Sequence, residues 1–89
     1  MARSGQVTVT TAGTAVQGTD TIASLVALKA HPDNTDAVWV GNDDAGDVTN
    51  ANGFPLEPGE TIILQVGNVN ELWFDADVNG EKIAWLKLD

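Results

Sequence analysis

The run Glu71-Leu72-Trp73-Phe74-Asp75-Ala76-Asp77-Val78-Asn79-Gly80-Glu81-Lys82-Ile83-Ala84-Trp85-Leu86-Lys87-Leu88 decides the fold class. Apolar residues recur in it at every second position, the period of a half-buried strand, and not at the 3.6 period of a helix. In Glu71 to Ala76, Leu72, Phe74 and Ala76 fall on one face, and Glu71, Trp73 and Asp75 on the other. In Lys82 to Leu88, Ile83 and Trp85 oppose Ala84, Leu86 and Leu88. Asn79-Gly80 stands between the two runs and is the strongest short hairpin signal in the chain.

Working outward, the rest of the chain gives more short runs divided by Gly, Asn, Asp and Pro. Thr61 to Val66 is the most apolar strand, with Ile62, Leu64 and Val66 on one face. Ala37 to Gly41 is a strand with Val38 and Val40 inward and Trp39 outward. Ile22 to Ala30 reads as strand, Val26, Leu28 and Ala30 opposing Leu25, Ala27 and Lys29; a helix over Ala23 to Lys29 is the alternative. His31-Pro32-Asp33-Asn34 suits a type I reversal after it. Gln6 to Thr11 alternates, Thr14 to Gln17 is a short continuation or hairpin return, and the first five residues read as a loose arm. Asn42 to Pro58 reads as a long loop interrupted by Phe54 and Leu56.

The expectation is therefore an all-β domain: a small β-sandwich or barrel of about six to eight short antiparallel strands over residues 6–89, with 1–5 as the arm. Jelly-roll and immunoglobulin-like strand orders both fit, and the jelly-roll order is the one expected.

At 89 residues the chain suits one domain, which buries only roughly 60–65% of its unfolded surface. Domains of this size gain stability from disulfides, metals or oligomerisation. The absence of cysteine excludes disulfides and thiolate metal sites, and the single histidine, His31, excludes a multi-histidine site. Oligomerisation is left. A formal charge of −9 argues against nucleic acid, whose affinity comes mainly from Lys and Arg at phosphates, and against anionic lipid. The opening MARSGQ does not read as a secretory signal, and no apolar run approaches the roughly 20 residues of a membrane helix. A soluble product made in the cytoplasm is expected.

No catalytic constellation emerges. Asp43, Asp44 and Asp47 crowd one loop, a weak calcium pattern without EF-hand spacing; a solvated Asp/Gly turn is the plainer reading. Asp75 and Asp77 beside Glu71 could mimic a glycosidase pair, but a charged solvent face explains them better. His31 precedes a proline in a turn, where a ring nitrogen can meet backbone. No cofactor is implied. The outward tryptophans Trp39 and Trp73 are more informative, because large rings left wet are costly. Three readings stay open for them: a subunit or partner interface, burial within the chain, and a carbohydrate platform. Trp85 reads as core. Phe54 and Leu56 either tack their loop onto the sandwich or meet a neighbouring subunit. In Pro55-Leu56-Glu57-Pro58-Gly59-Glu60 two prolines pre-order the chain and Gly59 frees its reversal.

An ordered series of segments also carries a resemblance: Pro32-Asp33-Asn34-Thr35, Val38-Trp39-Val40-Gly41, Asn52 to Glu60, Leu72-Trp73-Phe74-Asp75-Ala76, and Val78-Asn79-Gly80 with Trp85-Leu86. Over Val7 to Leu88 the chain resembles small virion-structural proteins of tailed bacteriophages, most distinctively at Asn52 to Glu60. Among these it looks most like head decoration, or cement, proteins. The resemblance implies a non-enzymatic partner of a phage major capsid protein, commonly trimeric, seated on the outer head surface. Trp39, Trp73, Phe54 and Leu56 are then the candidate oligomer or partner contacts, and Ala2, Arg3, Ser4 and Gln6 the candidate capsid-contacting arm. A tail, fibre or baseplate module and a carbohydrate-binding sandwich module are the alternatives.

Overall fold

The computed structural model describes residues 3–42, 48–49 and 52–89. The described residues form eight strands: β1 Arg3–Val9, β2 Val16–Gln17, β3 Leu25–Ala30, β4 Val38–Gly41, β5 Phe54–Leu56, β6 Thr61–Gln65, β7 Trp73–Ala76 and β8 Glu81–Lys87. One 3₁₀ turn, Val69–Glu71, precedes β7. The strands make two antiparallel four-stranded sheets ordered β1-β8-β3-β6 and β2-β7-β4-β5. Pairing is nested: β1 with β8, β3 with β6, β2 with β7, β4 with β5. A single long hairpin folded over in this way is the jelly-roll form of the β-sandwich.

The alternation read from the sequence becomes the two inner faces. Val7, Val9, Val26, Leu28, Ile83 and Trp85 of the first sheet meet Val38, Val40, Leu56, Phe74 and Ala76 of the second in one apolar cluster. Ile62, Leu64 and Val66 pack against it, half-buried because β6 is an edge strand. Burial in Leu25–Ala30 alternates with period two between β8 and β6, so the helix alternative for this segment does not occur.

Several expectations are corrected. Arg3, Ser4 and Gly5 are not a free arm; they pair with Lys87, Leu86 and Trp85. Gln6, also assigned to the capsid-contacting arm, is strand too, opposite Ala84. The alternation was hidden because its inward position there is Gly5, and the Trp85 ring fills the space where a Cβ would stand, 2.8 Å from its Cζ2. Ala2 lies outside the described residues. Asn79-Gly80 is a turn, Gly80 having φ +86°, but it does not close a hairpin, since β7 and β8 belong to different sheets. Instead Gly80 N–H donates to the Val9 carbonyl, and the Asn79 side-chain oxygen accepts from Ala12 N–H at 2.7 Å. The segment read as a long loop contains β5, with Pro55 tolerated because β5 is an edge strand. Leu56, expected on a loop, is 1% exposed and cannot be a subunit contact: the pleat of β5 turns it between the sheets.

Candidate interaction surface

On the outer face of the second sheet, Trp39 stands opposite Asp75 and Pro55, and Trp73 opposite Gly41 and Gln17. Sequence parity placed both rings correctly, and both are half-buried. The chain's own loops supply cover here. Gly53, just before β5, lies so close to Trp39 that a Cβ on it would stand 2.9 Å from the Trp39 Cβ. The Trp39 indole N–H is buried without an acceptor among the described residues. Asp75 is outward by parity yet 7% exposed, because the β1–β2 loop folds onto it and Gly13 N–H donates to its Oδ1 at 3.0 Å. Its Oδ1 also accepts from Ala76 N–H. Asp75 is thus a loop anchor, while Asp77 is exposed and Glu71 accepts from Gly67 N–H.

Other candidates resolve individually. His31 Nδ1 accepts from Asp33 N–H at 3.1 Å inside a turn closed by Asn34 N–H on the His31 carbonyl. Asp43, Asp44 and Asp47 lie outside the described residues. Among the described residues no group of three or more His, Cys, Asp or Glu side chains is placed to hold a metal. Phe54 is 58% exposed on the β5 edge. Arg3, Ser4 and Gln6 are exposed on β1.

The outer face of the first sheet is the surface that sequence reasoning missed. Cross-strand register sets Ser4, Leu86, Ala27 and Ile63 in one row, and Gln6, Ala84, Lys29 and Thr61 in the next. Ala27 and Ala84 are short beside their neighbours and form the floor of an open concavity of about 400 Å3. Ile63, Leu86 and Leu88 are 62%, 42% and 41% exposed on or beside it, so an apolar patch is left uncovered by the chain. The chain has thirteen Asp and Glu residues, and none stands on the outward positions of β1, β8, β3 and β6. Lys29 and Lys82 do. Among the described residues neither ammonium is in an ion pair. The signals were legible strand by strand, as Leu25/Ala27/Lys29 and Ala84/Leu86/Leu88. Their union was not, because it needs β8 to lie between β1 and β3.

Compared with protein-family models, curated proteins and solved structures, the chain matches none.

Proposed function

We propose that this chain is a non-enzymatic structural protein of a bacteriophage virion, of the capsid-decoration kind, binding the outer surface of the head as a homo-oligomer, with a trimer favoured. One observation carries the binding part of this reading. An acidic jelly roll leaves one sheet face free of carboxylates with an uncovered apolar patch at Ala27, Ala84, Ile63 and Leu86, and such patches mark contact surfaces. The assignment to a virion rests on the resemblance of Val7 to Leu88 to small phage structural proteins. The partner is a major capsid protein.

Cosedimentation of the purified protein with heads of its phage, before and after expansion, tests the proposal. Saturable binding to expanded heads is the expected result. Absence from both forms sinks decoration and moves the search to tails, fibres and baseplates. The carbohydrate reading of Trp39 and Trp73 is disfavoured because both rings are already half-buried within the chain. Quenching of tryptophan fluorescence by an oligosaccharide would revive it.

A further inference from the structure

We infer that the outer face of the first sheet receives a second copy of this chain, which presents a different, carboxylate-bearing surface: the β5 edge and β5–β6 turn around Phe54, Glu57 and Glu60. The inference deepens the assembly part of the proposed function and rests on it for the need to oligomerise. Its argument is charge complementarity. Stacking two identical faces about a two-fold axis would confine Lys29 and Lys82 of both copies in one layer without a counter-charge on either face. Unpaired cations in a drying interface are strongly unfavourable. The face therefore fits a partner surface that brings carboxylates together with something apolar.

The chain itself offers such a surface. Phe54 is a large apolar side chain, 58% exposed, on an edge strand whose outer side has no strand partner among the described residues. Glu57 and Glu60 follow it within one turn, both exposed, and neither is in an ion pair among the described residues. Glu57 N–H donates to Glu60 Oε1 at 2.7 Å, which holds one of these carboxylates in place without neutralising it. Phe54 would enter the depression over Ala27 and Ala84, with Leu86 and Ile63 beside it, and the glutamates would reach Lys29 and Lys82. Contact between two different patches is heterologous, and the copies form a ring where its rotation closes.

The test is a charge swap read by light scattering after size exclusion. The wild-type chain is expected to run as a closed oligomer. Lys29→Glu with Lys82→Glu, and separately Glu57→Lys with Glu60→Lys, should each drop it to the 9.3 kDa monomer. The four changes together should bring the oligomer back. All four positions are exposed, so circular dichroism should confirm folded variants throughout. A monomeric wild type overturns the inference, and so does a folded fourfold variant that stays monomeric. Insensitivity to the glutamate changes does so as well, since it would signify a face-to-face dimer. Head binding is measured separately, so an oligomer that ignores heads would count against decoration while leaving this contact standing.

Discussion

Trp85 lies against Gly5 so closely that a Cβ at residue 5 would stand 2.8 Å from Cζ2 and 2.9 Å from Nε1 of the indole. The two residues are directly paired across β1 and β8, and Trp85 is 3% exposed at the base of the core. The ring is rigid and buried, so it cannot swing aside as a flexible side-chain end could. Gly5→Ala should lower unfolding stability by about 1–3 kcal/mol, the usual cost of overpacking. Urea titration should show an earlier midpoint with an unchanged slope. A variant as stable as wild type would mean that the indole is loosely held.

Glu81 gives a second prediction. Its side chain is 4% exposed, and its carboxylate accepts from Thr35 N–H and, at 2.8 Å, from Asp36 N–H. It therefore fastens the β3–β4 crossover to the start of β8, closing one end of the sandwich. Glu81→Ala strands these backbone donors and should cost about 2–3 kcal/mol. Glu81→Gln retains an acceptor oxygen and should cost less. Equal losses for the two variants would remove the hydrogen bonds as the cause.

Much of the fold was legible because burial in this chain follows strand parity. Val38/Trp39/Val40 and Leu72/Trp73/Phe74 sit on the faces that their alternation assigns. Parity says which way a side chain points and nothing about which strand lies beside it. For that reason Asn79-Gly80 announces a turn correctly and misnames what it joins. In an isolated β-hairpin, Asn-Gly works with both residues at positive φ. Here Gly80 has φ +86° and Asn79 does not have positive φ, which fits a crossing between sheets. The first-sheet face was illegible for the same reason, its rows being assembled from residues up to 82 positions apart, such as Ser4 and Leu86. The loose-arm reading failed on one residue, since glycine in an inward position erases the apolar mark that parity relies on.

Gly80 can be tested directly. An L-residue in the left-handed region costs roughly 1–2 kcal/mol, and asparagine tolerates it best. No side-chain contact obstructs the site, a Cβ there meeting nothing within 4 Å. Gly80→Ala should thus destabilise by about that amount from backbone strain alone, and Gly80→Asn by less. Thermal melts of the two variants separate them; identical melting points would show that the turn rearranges.

The C-terminal residue carries a pH dependence. Asp89 accepts from the Ser24 hydroxyl at 2.8 Å and from Ser24 N–H at 3.2 Å, and the hydroxyl bond is the main reason its carboxyl sits below the usual value of 3.8. A carboxyl depressed in the folded state contributes its stabilisation above the unfolded value and loses it as pH falls through the folded one. The tie is therefore present at neutral pH and released in acid below about 3.8. The group is exposed, so the effect is local. Asp89→Ala at pH 7 should speed amide exchange at Ser24 and Leu25 relative to wild type, with Val26 in mid-sheet unchanged. Exchange that is unaffected by the substitution would dissolve the tie.

Phe54 and Leu56 share a short strand, yet the structure gives them opposite roles. Leu56 is 1% exposed among Val38, Phe74 and their neighbours in the core, so Leu56→Ala should cost about 2–5 kcal/mol through lost burial and a cavity. Phe54 is 58% exposed, and Phe54→Ser should leave monomer stability within about 0.5 kcal/mol. If Phe54 meets a neighbouring copy, the same substitution should weaken association while leaving the dilute unfolding curve in place. Denaturation at several protein concentrations distinguishes the two effects, because only an assembled state gains stability with concentration. A Phe54→Ser chain that unfolds early even when dilute would assign the ring to its own domain and remove it from the proposed contact.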